Sequence, residues 1–571
     1  MLMKKQAWTK RPLIRILIIW IVEALSLVLL TFVMRSLSVD SLLTAFLAAA
    51  AIGLLNALLW PLLSYLILPF AVLTLGLASL ALNGFIIWLA GQIVPGFMVA
   101  SLWSAVLAAL AMTASNIIAS SLLTIDDDNS YYRNVVRRRA RRWAKPAETE
   151  TPGFLFLEID GLAEPVLEKA MANGYAPTMK RWLATGSHKL TTWETDLSSQ
   201  TSAGQAGILH GNNNNIPAFR WYNRQQKKII SSNSPDEMAA LEKRLSDGNG
   251  LLNMQGVSRG NLLSGDAPYV MTTASTMKDL SRLHLTDFYT YFVNPYNFTR
   301  TLLLVVWDLL LEKWQFHCAR KNKVHPILDK QKRGGKYPLL RVFTTVIMRE
   351  LNIYTLIGDM YAGVNSAYAT FVGYDEVAHH SGVESTDAFD ILHKLDEQFA
   401  RLESAAASAP RPYHFVVLSD HGQSSGATFK QRYGYTLEGL VQQLARESLV
   451  QAVMSSDEAW GHINVFLNDA MQHDEKSSDS IRRLLKKNQR ADGEVVLGPE
   501  ELAETAVHET ANILVLASGN LGLVYSTNRD KRVTLEEVEE VFPDMLAGLT
   551  AHEGVGFVMI HSGNAWPGGY Q

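Results

Sequence analysis

The first quarter of the chain is almost free of charge and consists of long apolar segments, whereas the rest has the mixed composition of a globular protein. An α-helix of about 20 apolar residues is long enough to cross the hydrocarbon core of a bilayer. We predict four such crossings, at about residues 13–34, 42–59, 73–93 and 102–123. The segment WPLLSYLILP, between Trp60 and Pro69, predicts a tight turn or a shallow re-entrant piece after the second crossing.

Positive charges lie at both ends of this apolar region. Lys4, Lys5, Lys10, Arg11 and Arg15 precede the first crossing, and RNVVRRRARRWAK, at residues 133–145, follows the fourth. Cations mark the cytoplasmic side of a multi-pass protein. Both ends of the apolar region, and the whole chain after Lys145, are therefore predicted to be cytoplasmic. A signal peptide followed by a buried helical bundle is the alternative, but no small-residue cleavage site follows the first segment.

The basic segment at residues 133–145 has two interpretations. It can hold anionic lipid head groups, at about 1 kcal/mol per cation, or it can be a topology signal alone. Glu23 lies within the first crossing, where a charged group is costly, and its role stays open. The formal net charge of the chain is −3, and no specific nucleic-acid binding is predicted.

The length of 571 residues predicts more than one domain. We divide the chain into a membrane domain at residues 1–124, a basic segment and linker at 125–152, and a soluble domain at 153–571. Cys318 is the only cysteine, which excludes an intramolecular disulfide framework and Cys-rich zinc modules. Any metal site must therefore use oxygen and imidazole ligands.

Three segments of the soluble domain end in residues that can bind metal. FLFLEIDGL, SAYATFVGYDEVAH and HFVVLSDHG are apolar runs followed by Asp160, by Asp375 and His379, and by Asp420 and His421. Short apolar runs of this kind are typical of buried parallel strands. We predict an α/β fold with an open, mostly parallel sheet, helices on both faces, and one site at the carboxyl edge.

Taken singly, these residues have structural explanations, since Asp is a common helix N-cap and DHG can form a turn. Three strand ends with Asp or His together favour a metal site. Mixed oxygen and nitrogen ligands suit zinc or manganese.

A candidate nucleophile lies between the first two strand ends. DLSSQTSAGQAGILHG, at residues 196–211, has Ser and Thr directly before an apolar stretch that predicts a helix. The positive end of a helix dipole favours an alkoxide, and its free amides bind phosphate oxygens. A capping motif without chemistry is the alternative interpretation.

The order EIDG, QTSAGQAGILHG, YDEVAHHSG and LSDHG resembles the alkaline phosphatase superfamily, and most closely its phosphodiesterase/nucleotide pyrophosphatase branch. The resemblance implies two divalent metal ions, with zinc favoured over manganese. It implies that the first is held by Asp160, Thr201, Asp420 and His421, and the second by Asp375 and His379. It also implies that Thr201, ten residues before Gly211, is the nucleophile.

The apolar N-terminal region separately resembles the four-helix phage-holin-like family of bacterial membrane proteins, on GLLNALLWPLL and LTLGLASLALNGFI. This implies a location in the bacterial cytoplasmic, or inner, membrane.

The sequence departs from the phosphodiesterase pattern at two places. Gly204 and Gln205 stand in the stretch where the pattern has an Asn shortly after the nucleophile, so Gln205 or backbone amides are expected to bind phosphate oxygens. The late His-Gly pair that completes the second metal site is missing, which suggests that the C-terminal segment is absent and leaves His561 as the substitute in this chain. Arg220, in GNNNNIPAFRWYN, is a candidate for substrate binding or part of an ordinary polar loop.

The sequence thus predicts a membrane-anchored, metal-dependent hydrolase of phosphate mono- or diesters that acts through a covalent phospho-threonine. A phosphomutase of the same superfamily is one alternative. A holin-like membrane or interaction protein with a catalytically impaired soluble domain is another. NPYNFTRTLLLVVWDLLLEKWQ, at residues 294–315, is interpreted as a helix that lies on the bilayer surface or packs in the core.

Overall fold

The computed structural model describes residues 12–73, 77–122, 149–279, 281–282, 291–292, 295–324, 333–446, 450–453, 459–471, 497, 512–529 and 531–563. The basic segment at residues 133–145 lies outside these ranges, as do Lys4, Lys5, Lys10 and Arg11.

Four helices form an N-terminal bundle. They are α1 (Pro12–Val33), α2 (Leu42–Leu73), α3 (Leu77–Ile93) and α4 (Leu102–Leu122). Small side chains fill the centre of the bundle, including Ala45, Ala48, Ala105 and Ala108, all of them fully buried. Small residues let helix backbones approach closely, which suits an all-helical bundle. Two short strands, β1 (Leu37–Val39) and β2 (Phe97–Val99), pair antiparallel at one end.

The four helices cover the four apolar segments of the sequence, with one difference. Helix α2 continues to Leu73, through the segment WPLLSYLILP for which a turn or re-entrant piece was predicted. That prediction was wrong because Pro61 and Pro69 each remove only one backbone hydrogen bond, while the leucine-rich neighbours favour a helix. Among the residues that the structure describes, no helix has both the length and the apolar character needed to cross a membrane.

The soluble region is built on a five-stranded sheet. Its strands are β3 (Gly153–Ile159), β6 (Val257–Arg259), β7 (Tyr269–Met271), β8 (Ser366–Phe371) and β9 (Tyr413–Leu418). Their order is β7-β6-β8-β3-β9, and all neighbours run parallel. Strand β3 is central between β8 and β9, so the residues after these three strands emerge at one edge. The predicted open parallel sheet is confirmed.

Helices cover both faces of this sheet. The side chains of β3 alternate in direction, and those on each face are apolar, so each face needs a covering layer. Leu155, Leu157 and Ile159 join one buried cluster, and Phe156 packs against the other together with Tyr368 of β8. The helices of this region are α5 (Glu164–Ala172), α6 (Pro177–Ala184), α7 (Thr201–His210), α8 (Pro235–Leu245), α9 (Pro295–Lys321), α10 (Tyr337–Val342), α11 (Arg349–Ala362), α12 (Gly373–Ser381), α13 (Thr386–Ala406) and α16 (Ala459–Met471). A π-helical turn, Phe343–Met348, joins α10 to α11.

A smaller sheet follows in the chain. Strands β10 (Val450–Val453), β11 (Ile513–Ser518) and β12 (Leu521–Ser526) form it, with β10 parallel and β12 antiparallel to β11. Helices α14 (Phe429–Tyr433), α15 (Leu437–Leu444), α17 (Leu535–Val541) and α18 (Met545–Ala551) accompany this sheet. A hairpin of β4 (Arg220–Asn223) and β5 (Lys228–Ser231) lies beside β11.

Buried ion pairs hold the helices beneath the main sheet. Glu350 of α11 lies 2.7 Å from Arg300 Nη1, 3.1 Å from Arg349 Nη2 and 3.8 Å from Arg401 Nη1. Burial by itself raises the pKa of Glu350, but the three arginine charges lower it to about 2. The charged form of Glu350 therefore stabilises the folded state.

We predict that Glu350→Gln lowers the free energy of unfolding by about 3 kcal/mol at neutral pH, because one buried and two half-buried arginines lose their buried carboxylate. The folded-state pKa is below the ordinary value of 4.5, so the stabilisation is present above that pH and is lost as the pH falls towards 2. The urea midpoint of the wild-type protein should fall as the pH is lowered from 4.5 towards 2. The part of this fall that is due to Glu350 should be missing in Glu350→Gln.

The matched control is Glu384→Gln, which removes an exposed carboxylate that pairs with Lys169. An exposed ion pair contributes less than about 1 kcal/mol, so this variant should keep the wild-type pH profile. Equal profiles for wild type and Glu350→Gln would contradict the assignment.

Candidate active site

Three strand ends bring acidic and imidazole groups together at the carboxyl edge of the sheet. Asp160 follows β3 directly, Asp420 and His421 follow β9, and Asp375 lies in the first turn of α12, just after β8. The three strands are neighbours in the sheet, so their following residues converge. The site is therefore a product of strand order.

Asp160, Asp420 and His421 form a compact cluster. Their donor atoms lie within 4.8 Å of one another, and the cluster can hold a metal ion. His421 Nε2 is 3.4 Å from Asp160 Oδ1 and 3.7 Å from Asp420 Oδ2. His421 Nδ1 lies 3.1 Å from the carbonyl oxygen of Gly422, and an N–H donated there directs Nε2 into the cluster.

The electrostatics of this cluster suit a cation. Burial raises the pKa of Asp420; the charge of Asp375 adds to the rise, and His421 opposes it. Among the described residues, no hydrogen-bond donor reaches Asp420 Oδ2, although that atom is buried. A buried carboxylate oxygen without a donor is costly, and a bound cation would satisfy it.

Thr201 is the first residue of α7 and faces this cluster. Its Oγ1 lies 3.1 Å from His421 Nε2, and the residue is only 2% exposed. A Cβ atom at Gly204, one turn later, would lie 2.8 Å from the carbonyl oxygen of Asp420. Glycine at that position therefore lets the first turn of α7 approach the end of β9.

The neighbouring serines have other surroundings. Ser198 Oγ donates to Asp196 Oδ1, and Ser199 is half-buried with a positive φ of 43°. Ser202 is fully buried and its Oγ lies 3.5 Å from the carbonyl oxygen of Ala218. Of the hydroxyl groups in this segment, that of Thr201 is the one within hydrogen-bonding distance of His421.

Asp375 and His379 form the second predicted set. They lie one turn apart on α12, with His379 Nε2 3.3 Å from Asp375 Oδ2. Burial raises the pKa of Asp375, but the charge and hydrogen bond of His379, together with His421 and Gln423, lower it to about 2. The His379 side chain is 50% exposed, which leaves it accessible from solvent.

Gly161 lets the two sets of ligands approach each other. A Cβ atom there would lie 2.4 Å from Asp375 Oδ1, and the residue has a positive φ of 68°. Gln423, two residues after His421, donates from Nε2 to the same carboxylate. His380, by contrast, stacks on Tyr337 at 3.8 Å and has its Nδ1 2.9 Å from the carbonyl oxygen of Glu376.

His462 of α16 was missed by the sequence analysis. It lines a pocket with Thr201, Phe219, Ser232, Asn233, Leu262, Ala274, Gly461 and Val465. Burial lowers its pKa to about 4, and the charge of Asp375 opposes that shift. Its local signal is the dipeptide Gly461-His462 at the start of an apolar helix, which is too short to identify a ligand by itself.

The other predicted residues lie in different surroundings. Gln205 is fully buried, and its side-chain amide donates to Glu158 and Thr370 while its oxygen accepts from the amide of Leu262. Arg220 is half-buried at the start of β4. His561 is exposed, and its carbonyl oxygen accepts a hydrogen bond of 2.8 Å from Leu535 N at the start of α17.

A second cluster of metal-type residues has a structural explanation. His210, Glu242 and Asp266 lie close together on the other side of α7. Glu242 Oε1 is 2.9 Å from His210 Nε2 and accepts hydrogen bonds from Ser264 N, Ser264 Oγ and Gly265 N. This carboxylate therefore has a full set of protein partners.

Comparison with known proteins agrees with this geometry. A family model described as type I phosphodiesterase / nucleotide pyrophosphatase matches residues 154–534, and one described as mycobacterial 4 TMS phage holin, superfamily IV, matches residues 14–118. No curated protein and no solved structure matches the chain. Both resemblances seen in the sequence are confirmed. Since residues 154–534 are more than half of its length, the chain belongs to the type I phosphodiesterase / nucleotide pyrophosphatase family, with a holin-like region at its N-terminus.

Proposed function

We propose that the chain is a membrane-anchored, metal-dependent hydrolase of phosphate mono- or diesters in which Thr201 attacks phosphorus. Family membership supports phosphoester hydrolysis. The observation that carries the finer proposal is the distance of 3.1 Å between Thr201 Oγ1 and His421 Nε2, beside Asp160 and Asp420. A buried hydroxyl among two carboxylates and an imidazole is suited to activation as a nucleophile.

Two divalent cations fit the donor groups. In this proposal the first is held by Asp160, Thr201, Asp420 and His421, and the second by Asp375 and His379. Carboxylate oxygen and imidazole nitrogen favour zinc, with manganese as the alternative. When bound, such cations would stabilise charge on the phosphoryl oxygens and lower the pKa of the threonine hydroxyl.

We assign the third position of the second set to His462 and not to His561. His462 lines the pocket that contains Thr201, and Asp375 is close enough to act on its charge. The carbonyl of His561, in contrast, is engaged at the start of α17.

The chain's own groups then account for the rest of the reaction. Thr201 Oγ1 forms a bond to phosphorus as the bond from phosphorus to the leaving oxygen breaks, which gives a phospho-threonine. The leaving oxygen departs as an alcohol, with a proton that replaces the one lost by Oγ1. Water then attacks the same phosphorus atom, the bond from phosphorus to Oγ1 breaks, and release of the phosphate or phosphate monoester returns the threonine hydroxyl with a proton from that water. The first turn of α7 directs its dipole and amides at the phosphoryl oxygens. We favour these amides over Gln205, whose side chain is bonded to Glu158 and Thr370, and we retain Arg220 as a candidate substrate contact.

The N-terminal bundle is proposed to be the membrane anchor. The holin match covers it, and large apolar side chains point away from its core. Among them are Leu29, Phe32, Leu43, Leu54, Leu58 and Trp103, all more than half exposed. A contiguous apolar exterior of this kind needs an apolar environment. The positive-inside rule supports a cytoplasmic active site at the bacterial inner membrane, and the basic segment at residues 133–145 supports contact with anionic lipid head groups.

The metal proposal predicts that purified protein contains a divalent cation that Asp420→Asn and His421→Ala lose. Both changes remove a donor from the tighter site, so elemental analysis after mild purification should show a loss of about one ion per chain. Asp236→Asn, which removes an exposed carboxylate paired with Lys278, is the matched control. Equal metal content in all four proteins would contradict the assignment.

The nucleophile proposal predicts that Thr201→Ala lowers the turnover of nitrophenyl phosphate or a nitrophenyl phosphodiester at least about a thousandfold. Thr201→Ser should keep part of the activity, because it keeps a hydroxyl. Acid quenching should trap a phospho-enzyme, and mass spectrometry should locate the phosphate on Thr201. Ser199→Ala, at a half-buried position in the same segment, should leave turnover unchanged.

Two outcomes are decisive for Thr201. A fully active Thr201→Ala protein would exclude it as the nucleophile. Phosphate found on Ser202 would transfer the role to that residue while the covalent mechanism stands.

The assignment of His462 predicts that His462→Ala weakens binding of the second ion about 10-fold or more, while His561→Ala leaves it unchanged. Titration of zinc into the metal-free protein, followed by calorimetry, measures both sites. The tighter site should be unaffected in either variant. Loss of the weaker site in His561→Ala alone would reverse the assignment.

A further inference from the structure

Helix α9 has an outward face made of large apolar side chains. Leu303, Val306, Trp307, Leu310 and Trp314 recur every three or four residues, so they share one side of the helix. They are between 37% and 63% exposed. We call these five residues the outer face of α9. An exposed stripe of this size with two tryptophans is unusual on a surface in contact with water alone.

The orientation of α9 is fixed by ion pairs on its opposite side. Asp308 lies 3.2 Å from both Arg341 Nε and Lys394 Nζ. Glu312 is 2.8 Å from Arg333 Nε and also pairs with Arg341. These acidic groups are fully buried, and turning the helix would bring them out of their pairs. The apolar outer face is therefore a stable feature of the fold.

Helix α9, which carries the outer face, packs against the N-terminal bundle. Helix α9 packs against α3 and α4, and Leu302 contacts the core of the bundle. Ser79 Oγ, near the start of α3, donates a hydrogen bond of 3.1 Å to the carbonyl oxygen of Phe292, just before α9. The contact is at the end of α3 away from the β1–β2 pair, on the side that the positive-inside rule makes cytoplasmic.

Positive charge lies along and after the last turns of the same helix. Lys313, Arg320, Lys321 and Lys323 are exposed. Tryptophan prefers the level of the lipid head groups, and cations there attract anionic lipids. The order of apolar side chains, tryptophans and cations is that of a helix lying in a membrane interface.

We propose that the outer face of α9 lies in the interface of an anionic bilayer and seats the catalytic domain against the membrane. The proposal rests on the anchoring role of the N-terminal bundle and goes beyond it, since it assigns a second, independent membrane contact to the catalytic domain itself. The occupant is lipid, because α9 packs directly on the bundle proposed as the anchor and combines exposed tryptophans with exposed cations.

This contact is mechanically connected to the candidate active site. Thr345 of the π-helical turn donates from Oγ1 to Asp308 of α9 at 3.0 Å. The Cα atom of Thr345 would lie 3.1 Å from a Cβ atom at Gly373, the first residue of α12. Helix α12 carries Asp375 and His379. The membrane-facing helix and the helix with the second ligand set are therefore separated by a single packed layer.

The test uses nitroxide labels on the full chain in vesicles of phosphatidylcholine and phosphatidylglycerol. Cys318 is the only cysteine, so Cys318→Ser gives a background for single cysteines at Trp307, Leu310 and Trp314. Leu29→Cys, on the bundle, is the lipid reference, and Met254→Cys, 75% exposed on the catalytic domain, is the aqueous reference. Oxygen collides more often with labels in lipid, and a nickel chelate collides more often with labels in water.

We expect the three α9 labels to favour oxygen over the nickel chelate, as Leu29→Cys does, and Met254→Cys to show the reverse. Labels on α9 that match Met254→Cys, with Leu29→Cys in lipid, would overturn this inference and leave the anchor intact. An aqueous Leu29→Cys would overturn the anchor and the inference together. Spin–spin broadening at Trp307→Cys that disappears on dilution with unlabelled protein would identify a second copy as the occupant and also overturn it.

Discussion

The burial of Asp160 and Asp420 at adjacent strand ends is the constraint on which the catalytic domain depends. Removing two carboxylates from water costs several kcal/mol unless charge of the opposite sign compensates. Apolar clusters on both faces of β3 bury the sheet and so keep water from these carboxylates. Gly161 and Gly204 then leave space for α12 and α7 to bring their polar groups close. The fold thus maintains a negatively charged cavity that a cation would stabilise.

Two groups of buried acids in this domain differ in how their charge is compensated, and the difference separates structural acids from those of the candidate site. Asp308, Glu312 and Glu350 lie beneath the sheet and are paired with arginines at 2.7–3.2 Å. At the strand ends, Glu158 is bonded by Tyr368, Gln205 and Thr370, and burial raises its pKa to about 8. Arginine pairs neutralise the first group permanently. The strand-end group lacks such pairs among the described residues, which is the arrangement expected where charge must be supplied by a ligand.

Local patterns in the sequence were sufficient for the parallel sheet and for most of the candidate site. Apolar runs followed by Asp predicted β3, β8 and β9, and the step of four residues predicted the pairing of Asp375 with His379. His462 could not be found in this way, because it reaches the pocket through packing of α16, far along the chain from Thr201. Gln205 shows the opposite case. Its position after Thr201 suggested a phosphate contact, yet its side-chain amide bonds Glu158 and Leu262 within the core. These partners are distant in sequence, so a local pattern could not reveal them.

Helix α9 shows why an apolar stripe alone does not determine which side of a helix is buried. In a soluble domain the apolar side normally packs inward. In α9 the acidic side is inside, because Arg333 and Arg341 are buried there, Lys394 is half-buried, and all three pair with its carboxylates. Exposing that side would leave Arg341 without these carboxylates and Arg333 with Asp387 alone, at a greater cost than exposing five apolar side chains. In the membrane contact proposed for α9, lipid would also remove the cost of exposing the apolar side. The ion pairs that set the orientation of α9 would then also determine which surface of the catalytic domain meets the bilayer.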